Sequence, residues 1–206
     1  MLKISTSILN ASNRIESIEK LNNTKTDYVH IDIMDGKFVP NKQFTTNEVN
    51  MLKKKTKKPF DVHIMALDPL KYIKYFNFKN IEIITIHLEI NEDLNTIIDN
   101  IKQNNCKVGI AIKPKTDLNL IDKYLDRIDM VLIMSVEPGF GGQKFIENTV
   151  DRISSIRKKK PDILIEVDGG INLETISLIK EADIAVVGSY ITNKDNYEEA
   201  INSLKK

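Results

Sequence analysis

Cysteine is nearly absent. Cys106 stands alone among 206 residues, so the chain forms no internal disulfide and offers zinc no cluster of thiolates. At the start of an expected strand, Cys106 reads as a small buried hydrophobe. An excess of one charge is also missing. Lys and Arg number 30 against 29 Asp and Glu, for a net charge of +1, which gives no global pull toward nucleic acid or an acidic membrane surface. The basic runs Lys53–Lys58 and Arg157–Lys160 fall at expected helix C-termini, where cations complement the dipole. Neither is interleaved with aromatics for base stacking. No apolar stretch is long enough to span a bilayer, and Met1-Leu-Lys-Ile-Ser-Thr-Ser7 enters a strand pattern without a secretory h-region. A cytoplasmic location with no nucleic-acid or membrane partner is therefore the expectation. Glycine and proline, at 8 and 6 residues, are too few for a linker-rich or low-complexity chain.

What is present is a regular alternation. Strand patterns run at Leu2–Leu9, Val29–Ile33, Phe60–Ile64, Ile81–Ile86, Lys107–Ile112, Met130–Met134, Ile163–Val167 and Ile184–Val187. Helical patterns separate them, near 12–21, 47–56, from Pro69 onward, and near 92–104, 118–127, 146–158, 173–180 and 196–204. Several strands are continuous apolar runs, the mark of strands buried on both faces in a parallel sheet. Eight such units of roughly 25 residues predict one (β/α)8 TIM barrel with a closed, parallel, eight-stranded sheet, a single catalytic domain over residues 1–206. An open doubly wound sheet is the alternative, but no G-x-G-x-x-G follows the first strand.

In a barrel every strand ends at one common mouth, where the chemistry sits. The second strand carries His30 and Asp32, two residues apart and hence on one face, about 6–7 Å apart along the strand. The third carries His63, the fourth ends at His87 and Glu89, and the seventh at Asp168. All three histidines lie near this rim. His30, Asp32, His63 and Asp168 make a set of imidazoles and carboxylates suited to one divalent cation such as Zn²⁺, Fe²⁺, Mn²⁺ or Co²⁺. His87 reads as a supporting or structural group behind the ligands. Glycines cluster after the sixth, seventh and eighth strands, as Gly139, Gly141 and Gly142, Gly169-Gly170, and Gly188-Ser189. Loops in these positions often hold phosphate in this fold. The strands carrying Asp32 and Asp168 are three steps apart around an eight-stranded ring. A substrate between the two carboxylates would show one face to each. Taking a proton from one face and returning one to the other inverts a stereocentre. The C–H would need to be acidic, which a neighbouring carbonyl polarised by the cation would supply by spreading the charge left behind as an enediolate. Met34, Met65 and Met134 close three strand ends and read as an apolar cover.

The motifs His30-Ile-Asp-Ile-Met-Asp-Gly36 with Phe38-Val-Pro-Asn41, Asp61-Val-His-Ile-Met65, Met134-Ser-Val-Glu-Pro-Gly-Phe-Gly-Gly-Gln143 and Val167-Asp-Gly-Gly-Ile171 resemble the ribulose-phosphate 3-epimerase family over nearly the whole chain. The resemblance implies interconversion of D-ribulose 5-phosphate and D-xylulose 5-phosphate in the pentose phosphate pathway. It implies metal ligation by His30, Asp32, His63 and Asp168, and acid–base roles for Asp32 and Asp168. It implies substrate contacts at Ser7, His63, Gly139, Phe140, Gly141, Gly142, Gly169, Gly170, Gly188 and Ser189, in a homo-oligomer of two or more subunits. Four positions depart from the family pattern: the Asn10-Ala-Ser-Asn13 run, Thr45, Glu181 and Tyr190. Tyr190 adjoins the expected phosphate loop, which leaves allulose 6-phosphate as the alternative substrate. A non-catalytic sugar-phosphate-binding barrel is the other alternative. Decarboxylases and hexulose-phosphate synthases of similar fold carry Asp-x-Lys-x-x-Asp at a strand end; here Ile33 and Met34 follow Asp32.

Overall fold

The computed structural model describes residues 1–205. The strands are β1 (Lys3–Ser7), β2 (Tyr28–Asp35), β3 (Lys42–Gln43), β4 (Phe60–Met65), β5 (Ile81–His87), β6 (Lys107–Ile112), β7 (Met130–Met134), β8 (Leu164–Asp168) and β9 (Ile184–Val187). All but β3 are parallel, in the order β1-β9-β8-β7-β6-β5-β4-β2, and β1 also pairs with β2, which closes the ring. This is the expected eight-stranded TIM barrel. The two-residue β3 lies antiparallel on the end of β2 and has no counterpart in the sequence reading. Among the described residues no helix is long and apolar enough to cross a membrane.

The two faces of each strand have different tasks. Val29, Ile31 and Ile33 of β2 join the main core, packed with helical residues such as Ile18, Leu21, Ile98 and Ile101. The alternate residues of β2 turn inward. Tyr28 packs with Ile83, Met130 and Ile184, all near the amino-terminal ends of their strands. This apolar plug leaves the other end of the barrel to polar residues.

Helices α1 (Arg14–Leu21), α2 (Thr46–Leu52), α3 (Leu70–Ile73), α4 (Leu94–Gln103), α5 (Thr149–Lys159), α6 (Ser189–Thr192) and α7 (Tyr197–Leu204) complete the units. Asn13 caps α1 by accepting from the Glu16 N–H at 3.2 Å, and Asp93 caps α4 through Asn95 and Thr96. The apolar stripe of α4, Leu94, Ile97, Ile98 and Ile101, is buried; its spacing is that of one helix face. Thr45, a departure from the family pattern, is the N-cap of α2.

Two expected helices are shorter than the pattern predicts. Residues 118–127 hold a 3₁₀ helix at Leu118–Tyr124, and 173–180 hold only a 3₁₀ turn at Ile176–Leu178. In the second, the Asn172 side chain accepts from the N–H groups of Glu174 and Thr175, and Thr175 Oγ1 donates to the Gly170 carbonyl at 2.9 Å. These local bonds compete with helical ones, in a stretch of Ile, Thr and Ser with little helix propensity.

Candidate active site

The strand ends surround a cavity of about 710 Å³, within the range of small-molecule sites. Asp32 from β2 and Asp168 from β8 line it, as do Met34, Met65 and Met134. Around the ring, β1 and β9 stand between β2 and β8, so the carboxylates enter from different sides.

Beneath the cavity four side chains converge. One ligand-type atom from each of His30, Asp32, His63 and Asp168 lies within 4.8 Å of the others. His30 Nε2 is 3.2 Å from Asp32 Oδ1. His63 Nδ1 is 3.3 Å from the same oxygen and 3.8 Å from Asp168 Oδ2. Both imidazoles are fully buried, whereas the Asp168 side chain is 18% exposed toward the opening.

His30, Asp32 and His63 are each held from behind, which leaves one donor atom of each turned inward. His30 Nδ1 lies 2.6 Å from Asp61 Oδ2, an oxygen that also accepts from Ser5 Oγ at 2.8 Å. Its Nε2 is therefore the nitrogen aimed at Asp32. Ser7 Oγ donates to Asp32 Oδ2 at 3.1 Å, leaving Oδ1 toward the imidazoles. His63 Nε2 faces His87 at 2.9 Å, so Nδ1 is its free nitrogen. Converging imidazole and carboxylate atoms, three of the four groups oriented by a second contact, fit a divalent cation of the Zn²⁺, Fe²⁺, Mn²⁺ or Co²⁺ type.

The glycine loops border the same cavity, which Gly139, Phe140, Gly141, Gly142, Gly169, Gly170, Gly188, Ser189 and Ser7 all line. Gly170 has φ +66°, and a Cβ there would stand 2.5 Å from the Phe145 backbone nitrogen; only glycine permits that turn and that approach. Ser135 secures the end of β8, donating from Oγ to the carbonyls of Asp168 at 2.8 Å and Gly169 at 2.6 Å. Asn41, of the Phe-Val-Pro-Asn run, donates to the Gly139 carbonyl at 3.2 Å. His63 differs from the other expected substrate contacts. It is wholly buried and does not line the cavity; it sits against the floor carboxylates instead.

A model of the ribulose-phosphate 3-epimerase family matches residues 3–192. The chain belongs to this family of isomerases. A ribulose-phosphate 3-epimerase of Bacillus subtilis is 37% identical over 100% of this chain and 99% of its own length. The protein of that name from Escherichia coli is 36% identical over 87% of this chain and 83% of its own. Solved structures share the fold at much lower identity. KGPDC from Streptococcus mutans superposes with a TM-score of 0.75 at 12% identity, covering 100% of this chain and 96% of that one. A 3-hexulose-6-phosphate synthase gives 0.71 at 15%, covering 99% and 97%.

Two residues of the family member's interior escape the sequence reading, Asp61 and Glu166. Both are fully buried, and together with His30 they bring ligand-type atoms within 4.8 Å of one another. The signal was available: Asp61-x-His63 and Glu166-x-Asp168 repeat the two-residue spacing of His30-x-Asp32, which puts all six on inward faces. Burial and the neighbouring Asp61 charge raise the Glu166 pKa well above its usual value. A protonated Glu166 avoids two adjacent buried anions. Asn10 is a further residue of the rim; it lines the cavity and donates to Ser189 Oγ at 3.3 Å.

The cavity carboxylates are unequal. Burial acts to raise Asp32, but His30 and His63 outweigh it and hold this acid below the usual carboxylate range. Burial and the Asp32 charge push Asp168 up to about 6. Burial acts against a charged His30, yet Asp61 and Asp32 raise its pKa well above the ordinary value.

Proposed function

We propose that this chain is a metal-dependent ribulose-phosphate 3-epimerase, one (β/α)8 catalytic domain that interconverts D-ribulose 5-phosphate and D-xylulose 5-phosphate. The observation that carries this reading is the converging set of His30, Asp32, His63 and Asp168, whose two carboxylates enter the cavity from strands three steps apart, β2 and β8. Family membership supports it.

A divalent cation held by His30, Asp32, His63 and Asp168 would polarise the substrate carbonyl and stabilise the charge left when the neighbouring C3 proton departs. The rest belongs to the protein. Asp32, ionised and oriented by Ser7, takes the C3 proton from one face of the sugar. Asp168, the weaker acid, holds a proton and returns it to the opposite face. The reverse reaction exchanges their roles, as acid–base pairs of split acidity do. Met34, Met65 and Met134 present an apolar surface that keeps water from the intermediate. The loops at Gly139–Gly142, Gly169–Gly170 and Gly188–Ser189 occupy the positions where this fold commonly holds phosphate. Ser7 and His63 reach the reacting end through Asp32.

Cation binding then competes with the proton on His30 Nε2, which, despite burial, Asp61 and Asp32 hold to higher pH than an ordinary imidazole would; Asp168 ligates through one oxygen and keeps its proton on the other. Affinity therefore falls while the His30 proton is held and rises as pH climbs past its loss. Calorimetry in buffers of different ionisation enthalpy should show proton release; binding without release, and without pH dependence across this range, would contradict the ligand set.

Substrate length is tested by kcat/KM on ribulose 5-phosphate and on allulose 6-phosphate. Tyr190 lines the cavity beside Ser189, and its hydroxyl is tied to Ser203 at 3.0 Å, so the ring is a fixed wall. The five-carbon sugar should be preferred by at least about 10-fold, or roughly 1.4 kcal/mol. A preference for allulose 6-phosphate would replace this reading with that of a ketohexose-phosphate epimerase.

A further inference from the structure

Behind His63 the hydrogen bond to His87 continues to a carboxylate on the far side of that ring. His63 Nε2 meets His87 Nε2 at 2.9 Å, and His87 Nδ1 meets Glu89 Oε2 at 3.0 Å. The other Glu89 oxygen accepts from the Lys113 N–H at 2.7 Å and from Thr116 Oγ1 at 2.6 Å. Both imidazoles have no exposed surface. The Phe38 ring covers His87 at 4.5 Å between centroids, with Lys113 Nζ 3.8 Å above that ring. The ring nitrogens therefore have only one another and the flanking carboxylates as partners.

We propose that Glu89 and His87 are positioning residues that set which nitrogen of His63 is available to the cation. The inference rests on the metal-dependent reading above. Glu89, collecting donors at both oxygens, acts as an acceptor and so requires the proton of His87 on Nδ1. A neutral imidazole with Nδ1 protonated has a lone pair on Nε2. That lone pair calls for a proton on His63 Nε2. His63 Nδ1, the nitrogen that faces Asp32 and Asp168, is then the one left to bind metal. Asp61 does the same for His30 in a single step; here the carboxylate acts through a second imidazole. Outer partners of metal-bound histidines commonly have this task.

Glu89→Gln tests it with little change of shape. The amide oxygen must take the side of Lys113 N–H and Thr116, because an NH₂ there would meet a donor. Its NH₂ then faces His87 Nδ1. This reverses both imidazoles: His87 carries its proton on Nε2, and His63 is driven to carry its own on Nδ1, against the cation. Long-range ¹H–¹⁵N spectra of the histidine rings read these states directly. In the unaltered protein loaded with Zn²⁺, His87 should be protonated on Nδ1 and His63 on Nε2. In Glu89→Gln, His87 should move to Nε2, and Co²⁺ affinity, followed by its absorption, should fall by about 10- to 100-fold. A His87 proton on Nε2 in the unaltered, Zn²⁺-loaded protein overturns the proposal even if the variant does not fold. So does unchanged Co²⁺ affinity in a folded variant. These readouts involve no sugar, so they stand apart from the epimerase assay. Unaltered protein that binds no Co²⁺ would sink the metal reading instead.

Discussion

Asp168→Asn is expected to abolish epimerisation while preserving proton exchange at C3 of one epimer only. With the divalent cation at saturation, interconversion should fall by at least about 10³-fold, within the range of roughly 10²–10⁴ that a positioned acid or base contributes. Asp32 remains ionised, with Ser7 at 3.1 Å. It can still remove the C3 proton of the epimer that presents it and restore it to the same face. Asp32→Asn should give the mirror result: the other epimer exchanges and neither is converted. The assignment depends on the placement of β2 and β8, with β1 and β9 between them. If both variants exchanged the same epimer, the carboxylates would share one face and the two-sided reading would fail. Asn keeps a ligand oxygen at either position, so saturation with metal separates a proton-transfer defect from a ligation defect.

Removing the metal should cost nearly as much. After exhaustive chelation, turnover is expected to fall at least about 100-fold, since Lewis-acid stabilisation contributes several kcal/mol and each ~1.4 kcal/mol is tenfold in rate. Adding back Zn²⁺, Mn²⁺ or Co²⁺ should restore it. The same titration should raise the unfolding temperature, because a ligand that binds only the folded state stabilises it. Full turnover after verified metal removal would break the ligand assignment.

Much of this was legible because period-2 and period-3.6 patterns report burial directly. Val29, Ile31 and Ile33 against His30 and Asp32 gave both a strand and the face its chemistry occupies. The apolar runs of β7 and β9 could belong only to strands covered on both sides. The rim was legible too, since barrel topology assigns every strand's carboxyl end to one mouth. Three features were less so. The helices expected at 118–127 and 173–180 contract because side chains such as Thr175 bond the local backbone, a competition that apolar spacing does not reveal. Helix α6, at Ser189–Thr192, is too short to produce a periodicity. Asp61 and Glu166 sit in strands otherwise read as apolar. Their role comes from neighbours on other strands: Asp61 answers His30, 31 positions earlier in the chain.

The most direct test of the central claim is the fate of hydrogen at C3 during a single conversion in D₂O. Ribulose 5-phosphate is supplied to the metal-replete protein, and early product is analysed by NMR. Two carboxylates on opposite faces predict xylulose 5-phosphate carrying one solvent deuterium at C3 in essentially every molecule, because the proton removed by one acid is not the one delivered by the other. Product that retains its original C3 hydrogen would contradict the account.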